Sequence, residues 1–149
     1  MRKILSLAAV PLLVVACSSG DSVTDPEARG GSFKATIDGQ AWSAGSTIQG
    51  ALIGNYFSIG ATSDGINIGI AVVVDGTGTY DLASSDANGS VTEGGQSWYA
   101  AGQQGGGTVT FTTLDAHNAK GTFSFDAGPI GNSGTGVRKV TNGSFDFTY

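Results

Sequence analysis

The strongest constraint on the fold is the alternation of apolar with polar or small residues on both sides of Asp64-Gly65. Residues 56–61 alternate before the dipeptide, and residues 66–74 alternate after it. A period of two indicates half-buried strands, and Asp-Gly between two such runs favours a type I′ turn, because both central residues need positive φ. This pairing sets Ile59 opposite Ile70. The predicted core face of the hairpin comprises Phe57, Ile59, Ala61, Ile68, Ile70, Val72 and Val74.

The face of the second strand of this hairpin that points away from the predicted core is also uncharged. It carries Gly69, Ala71 and Val73, which are small and apolar. Because a strand that is apolar on both sides belongs inside a sheet rather than at its edge, we expect this strand to lie at the centre of the fold.

A second hairpin is predicted around Asp38-Gly39. Phe33, Ala35 and Ile37 alternate with polar residues before this turn. A two-residue turn pairs Ala35 with Trp42, so the indole joins the same apolar face.

Further short strands are predicted toward the C-terminus, where the signals are weaker. We expect strands at 79–82, 97–101, 108–114, 119–127, 137–140 and 144–149, with a turn at 86–89 and loops at 102–107 and 128–136. Asn142-Gly143 fits either a hairpin turn or a bulge within one long strand. The 25 glycines suit tight turns, and no stretch after residue 31 keeps a helical period. The sequence therefore predicts an all-β, antiparallel β-sandwich or flattened barrel of about eight to ten short strands over residues 32–149.

Three stretches resemble motifs of a known family. Residues 33–42, 120–125 and 141–147 are similar, in matching order, to motifs of small, uncharacterised β-rich bacterial lipoproteins common in Bacteroidota. The resemblance implies a β-rich domain carried by a lipid anchor. It supplies no catalytic motif.

The N-terminus has the features of a secretory signal. Arg2-Lys3 precedes an apolar run at 4–15, which is too short to span a bilayer, since a spanning helix needs roughly 20 apolar residues. Val14-Val15-Ala16-Cys17 resembles the bacterial lipobox, and this resemblance implies that Cys17 is acylated and becomes the mature N-terminus. Several acyl chains hold a protein firmly to a membrane.

These features predict three parts. Residues 1–16 are the lipoprotein signal peptide, residues 17–31 a flexible tether that begins at the lipidated Cys17, and residues 32–149 the folded domain. By the same resemblance, the absence of an Asp at Ser18 favours the outer membrane. We therefore expect a cell-envelope protein that is anchored through lipid.

Charge and residue types exclude several classes of function. Removal of residues 1–16 leaves 5 basic and 12 acidic residues, a net charge of −7, which argues against nucleic acid and against adhesion to anionic lipid. One histidine and one cysteine provide no Cys/His metal cluster. We expect no metal and no cofactor.

An enzyme is not expected. His117 lies in a predicted turn, and the sequence lacks the Gly-x-Ser-x-Gly motif of a hydrolase nucleophile. Asp38, Asp64, Asp86 and Asp115 occupy predicted turns, where Asp favours local backbone bonds. Two converging carboxylates in a cleft would instead indicate a glycosidase.

Trp98 and Tyr99 are the candidate ligand-binding residues. Adjacent residues of a strand point to opposite faces, so we expect one ring in the core and the other exposed, where it could stack on a sugar. The sequence favours a non-catalytic binding or structural role at the envelope, with an unidentified glycan or envelope protein as partner. Carbohydrate or small-ligand binding is the alternative, and a hydrolase is the third choice. A contiguous exposed apolar patch would favour the binding module.

Overall fold

The computed structural model describes residues 30–149, apart from Ser46 and Asn132. The predicted signal peptide, Cys17 and nearly all of the predicted tether lie outside the described residues. Within the part described, no helix is long and apolar enough to cross a membrane.

The described residues form an all-β, antiparallel fold of eleven strands, which confirms the predicted fold class. The strands are β1 (Gly31–Ile37), β2 (Gln40–Ala44), β3 (Ile48–Ile53), β4 (Tyr56–Ser63), β5 (Ile66–Val73), β6 (Gly78–Asp81), β7 (Ala87–Glu93), β8 (Gln96–Ala100), β9 (Gly105–Leu114), β10 (Asn118–Pro129) and β11 (Arg138–Thr148). A short 3₁₀ turn at Gly102–Gln104 separates β8 from β9.

One nearly closed sheet curls around the core, and β10 is its branch point. The strand order is β2-β1-β11-β10-β8-β7-β5-β4-β3, and β9 with β6 branches from β10. Residues Ala119–Ala127 pair with β9, whereas Gly128 and Pro129 pair with β8. We name β2, β1, β11, β10, β9 and β6 the aromatic half, and β3, β4, β5, β7 and β8 the aliphatic half.

Both predicted hairpins are confirmed. Asp38 and Gly39 have φ of 49° and 85°, and Asp64 and Gly65 have φ of 52° and 76°, as type I′ turns require. Ala35 pairs with Trp42 and Ile59 with Ile70, as expected. Strand β5 lies between β4 and β7, so its predicted central position is also confirmed.

The core is filled from both halves. The aromatic half contributes six of the seven phenylalanines, namely Phe33, Phe111, Phe123, Phe125, Phe145 and Phe147, and all six are buried. The aliphatic half contributes mainly Ile and Val, together with Phe57. The Phe57 ring crosses the interior and lies 4.9 Å from Phe111 in an edge-on arrangement. Such pairs stabilise by about 0.5–1.5 kcal/mol beyond the burial of their area.

The predicted loop at 102–107 is wrong in its second half, because Gly105–Gly107 open β9. These glycines let β9 approach β10 closely. A Cβ on Gly107 would overlap the carbonyl oxygen of Ser124, and φ there is 155°. The predicted loop at 128–136 also begins too early, since β10 continues to Pro129.

The predicted turn at 86–89 is misplaced. The turn occupies residues 82–86, and Ala87 already begins β7. Asp81 closes the turn by accepting a hydrogen bond from the Ala83 N–H at 2.8 Å. Strand β3 was not among the predicted strands.

The structure makes Asn142-Gly143 a bulge within β11. The pairing register shifts here against both β1 and β10, and Asn142 has φ of 51°. Gly143 lies directly over the Phe123 ring, where a Cβ would meet ring carbons. A glycine therefore fits the bulge for steric reasons.

Candidate functional site

Trp98 and Tyr99 point to opposite faces of β8, as predicted. Trp98 is 2% exposed and faces the core, whereas Tyr99 is 36% exposed and faces outward. The burial of Trp98 removes it from the rings that a ligand could reach. Tyr99 remains as the candidate.

Trp98 closes one end of the core. The Arg138 guanidinium carbon lies 4.6 Å from its ring centroid, and Gly134 packs against the ring edge. Arg138 also donates hydrogen bonds to Glu93 and to Asp38, the latter at 2.7 Å. This arrangement joins the β1–β2 turn to the end of β7, and it serves packing rather than ligand binding.

The contacts around Arg138 also change the pKa of the Asp38 carboxyl. Desolvation raises the pKa of this carboxyl, but hydrogen bonds from the Lys139 N–H and from Arg138 outweigh it, so that the pKa lies below its usual value. The Lys139 N–H donates to Asp38 at 2.8 Å. Asp38 is therefore a structural carboxylate of the turn.

The outer face of the aliphatic half contains a hollow of about 550 Å³. Its floor is formed where Gly60 pairs with Gly69 and Ser58 pairs with Ala71. Because successive residues alternate between faces, these small residues all lie opposite the buried Ile and Val side chains. Their size leaves the backbone of β4 and β5 open to a ligand.

Neutral polar side chains border this floor. Gln49 contributes from β3, Asn67 from β5, and Asn88 and Ser90 from β7. Every residue that lines the hollow is uncharged.

A second hollow of about 540 Å³ continues across β7 and β8. Asn88 lines both hollows, and Tyr99, Gly102 and the Ser84–Ser85 turn line the second. Its lining is also free of charged side chains. We call the two hollows together the groove. The predicted candidate Tyr99 therefore borders the groove, as does Gly102, the first residue of the loop predicted at 102–107.

Several polar groups of the groove have no hydrogen-bond partner among the residues that the structure describes. Asn67 donates to the Thr62 hydroxyl at 2.8 Å. In contrast, the side chains of Gln49, Ser58 and Asn88 make no hydrogen bond to any other residue that the structure describes. These groups are free to bond to a ligand.

A row of exposed apolar side chains lies beside the groove. Ile53 pairs with Tyr56, and Tyr56 pairs with Val73, so the three lie side by side on β3, β4 and β5. Ile53 is 74% exposed. Contiguous exposed apolar residues are typical of interaction sites.

The structure gives His117 and Asp115 a local role. Asp115 accepts hydrogen bonds from the N–H groups of His117 at 2.8 Å and Asn118 at 2.9 Å. The bonds from His117 and Asn118 lower the pKa of the Asp115 carboxyl. Both side chains are exposed in a turn between β9 and β10, away from the groove. Among the described residues, no group of three or more His, Cys, Asp or Glu side chains is placed to hold a metal ion.

Sequence reasoning missed most of the groove. Gln49 lies on β3, which was not predicted, and Asn88 was assigned to a turn. The available signal was the small reverse face of β5, with Gly69 and Ala71, which we interpreted only as a sign of a central strand. The same pattern also fits an outer surface made of small residues, which is the floor of the groove.

Comparison with known proteins identifies a family to which the chain is similar. No curated protein and no solved structure matches the chain. The model of a family described as a domain of unknown function (DUF6252) matches residues 30–147, which include all eleven strands except the last residue of β11. The chain therefore belongs to this family of unknown function.

Proposed function

We propose that this protein is a lipid-anchored, extracytoplasmic lipoprotein with a non-catalytic binding role at the cell envelope. The observation that carries the binding role is the groove, an uncharged surface with polar groups that lack protein partners. The exposed row of Ile53, Tyr56 and Val73 beside it further supports a binding module over a purely structural one.

The chemistry of the groove supports binding rather than catalysis. The described residues that line it include no carboxylate, histidine, lysine or cysteine, and Tyr99 is the one titratable side chain among them. Acid–base or nucleophilic catalysis needs such groups near the substrate. A hydrolase is therefore the weakest candidate.

The sequence supports the anchor and the location. The signal at 1–16 and the lipobox-like residues before Cys17 are those of bacterial lipoproteins, such as the β-rich ones common in Bacteroidota. Ser18 fits delivery to the outer membrane. The partners are thus the membrane, through lipid, and a glycan or protein of the envelope, with no role for nucleic acid.

Fractionation of cells that express the full chain tests the anchor. Cys17→Ser is expected to block lipidation, leaving the signal peptide uncleaved or the protein released from membranes. Ser18→Ala is the matched control and should leave the protein in the outer membrane, whereas Ser18→Asp should shift it to the inner membrane. A Cys17→Ser protein that stays in the outer membrane with a processed N-terminus would contradict the proposal.

Capture from solubilised envelopes tests the binding role. The detergent-extracted full chain is incubated with an envelope extract, and retained protein and polysaccharide are both measured. A component should be retained by the parent and lost with Gly60→Val, which fills the floor of the groove. Equal retention by both proteins, or none by either, would contradict a binding role for the groove.

A further inference from the structure

We infer that the groove binds a neutral oligosaccharide that lies across the strands from β3 to β8. This inference rests on the proposed binding role and specifies its ligand. Its evidence is the charge, hydrogen-bonding capacity and shape of the groove.

The charge of the lining selects a neutral ligand. The whole chain carries a net charge of −5, yet neither hollow has an acidic or basic side chain. Anionic ligands are usually held by Arg or Lys, and cationic ones by carboxylates. Because the groove offers neither, a charged ligand would lose hydration there without gaining an ion pair.

The polar groups of the groove match hydroxyl groups. The amides of Gln49 and Asn88 each offer donors and an acceptor, and the Ser58 hydroxyl can do either. A sugar hydroxyl likewise donates and accepts hydrogen bonds. Each of these three side chains can therefore bond to a sugar hydroxyl in more than one orientation. Among the described residues, none of these three side chains has a hydrogen-bond partner.

The position of the groove on the sheet argues against an extended peptide as the ligand. Extended peptides typically bind by adding a strand at an open sheet edge. The floor lies on β4 and β5, which both have a neighbour on each side, so their backbone groups are already paired within the sheet. A ligand there must bind through side chains and surface shape.

The length of the groove and the small residues of its floor suit a chain of sugar rings. Five adjacent strands at about 4.8 Å spacing span roughly 19 Å, which exceeds a single ring. The floor at Gly60 is open, because the nearest atom to a Cβ placed there is the Ile68 carbonyl oxygen at 3.7 Å. A flat ring can therefore approach the backbone. Tyr99 at the far end presents a half-exposed ring for stacking against the apolar face of a sugar.

Affinity gel electrophoresis of the detergent-extracted full chain tests this inference. The gels contain a neutral β-glucan, mannan or galactan, with polygalacturonate as the anionic control and chitosan as the cationic one. At least one neutral polymer should retard the protein and polygalacturonate should not, whereas any retardation by chitosan, which the net negative charge of the chain favours, should be the same for the groove variants. Tyr99→Ala should weaken the retardation by the neutral polymer about 5- to 10-fold, since one stacking contact contributes on the order of 1 kcal/mol. Gly60→Val should abolish it.

Thr122→Val is the matched control. It replaces an exposed strand residue on the outer face of the aromatic half and should leave retardation unchanged. Thermal unfolding of each variant checks folding. If Gly60→Val is misfolded, the retardation of Tyr99→Ala and Asn88→Ala tests the inference instead, because both substitutions shorten groove side chains without adding bulk.

The outcomes separate this inference from the proposed function. Retardation by polygalacturonate or chitosan alone, or retardation by a neutral polymer that no groove variant changes, would overturn the glycan inference. If no neutral polymer retards the protein but the envelope extract yields a protease-sensitive component that Gly60→Val loses, the binding role stands and the ligand is a protein. If neither experiment shows a groove-dependent ligand, both proposals fail.

Discussion

Both halves of the fold bury their inner faces, but their outer faces differ in charge. The outer face of the aromatic half carries charges and hydroxyls. Lys120 and Asp146 pair at 3.0 Å across β10 and β11, and Lys139 and Asp126 approach to 3.8 Å. The aromatic half also has an uncharged hollow of about 580 Å³, lined by residues of β9, β10 and β11. The five strands of the aliphatic half, in contrast, present no charged residue on their outer face, which contains the groove.

The difference shows which features folding does not require. Both halves bury their inner side chains almost completely, so the charged face and the uncharged face are equally compatible with a packed core. Surface charges contribute little to stability and mainly to solubility. The proposed binding role rests on this outer face, which has no charged residue on its strands and has polar side chains without partners among the described residues.

The largest expected effect tests whether the inner and outer faces of β5 differ in their contribution to stability. Ile70→Ala should lower the free energy of unfolding by about 2–5 kcal/mol, because it leaves a cavity beneath β5. The matched control is Val73→Ala on the outer face of the same strand, which should change it by less than about 1 kcal/mol. Chemical denaturation measures both. Equal effects of the two variants would show that the aliphatic half has no distinct inner face.

A smaller effect tests the link between the halves, where Arg138 joins Asp38 to Glu93. Asp38→Asn keeps the left-handed turn residue but removes the charge, and it should lower stability at neutral pH by about 1 kcal/mol or less, given solvent screening. Since the folded pKa of Asp38 is lowered, its contribution is present above the usual value of 3.8 and is lost as pH falls through the folded pKa.

Unfolding of the parent and of Asp38→Asn at several pH values measures this. The two stability curves should differ above about pH 4 and converge below it. A difference that stays constant into acid would mean that the turn geometry, and not the carboxylate charge, accounts for the effect.

The smallest effect concerns the charged outer face. Lys120→Ala breaks an exposed pair with Asp146 and should cost only about 0.2–1 kcal/mol, with less effect at high salt. Denaturation at low and high salt measures it. A loss above about 2 kcal/mol would show that charge on the aromatic half is structural, and the contrast between the outer faces would then need another explanation.

The two hairpins could be predicted because their information is local. Asp64-Gly65 determines the turn type, and the turn fixes every pair of the strands around it. Strands β3 and β7 were missed since residues such as Gly50 and Asn88 have weak strand propensity. Strand β3 pairs with β4, the next strand in the chain, whereas β7 also depends on its pairing with β5. The anchoring of Cys17 stays a prediction.

The groove was less predictable than the fold. Its floor lies on the predicted hairpin of β4 and β5, but its polar border comes from β3 and β7, whose places beside that hairpin the sequence alone does not specify. Trp98 and Tyr99 were correctly assigned to opposite faces by strand geometry. Which of the two faces the core follows from the register of β8 with β7, which sets Trp98 opposite the buried Val91.

Chemical-shift mapping tests the central claim, that the groove is the binding surface. Amide spectra of the ¹⁵N-labelled full chain in detergent micelles are recorded during titration with an oligosaccharide of the neutral polymer that retards it. The account predicts shifts confined to the aliphatic half, at residues such as Gly60, Gly69, Ser90 and Tyr99, with Thr110, Thr122 and Ser144 unchanged. Shifts centred on β9, β10 and β11, or no shifts at saturating ligand, would contradict it.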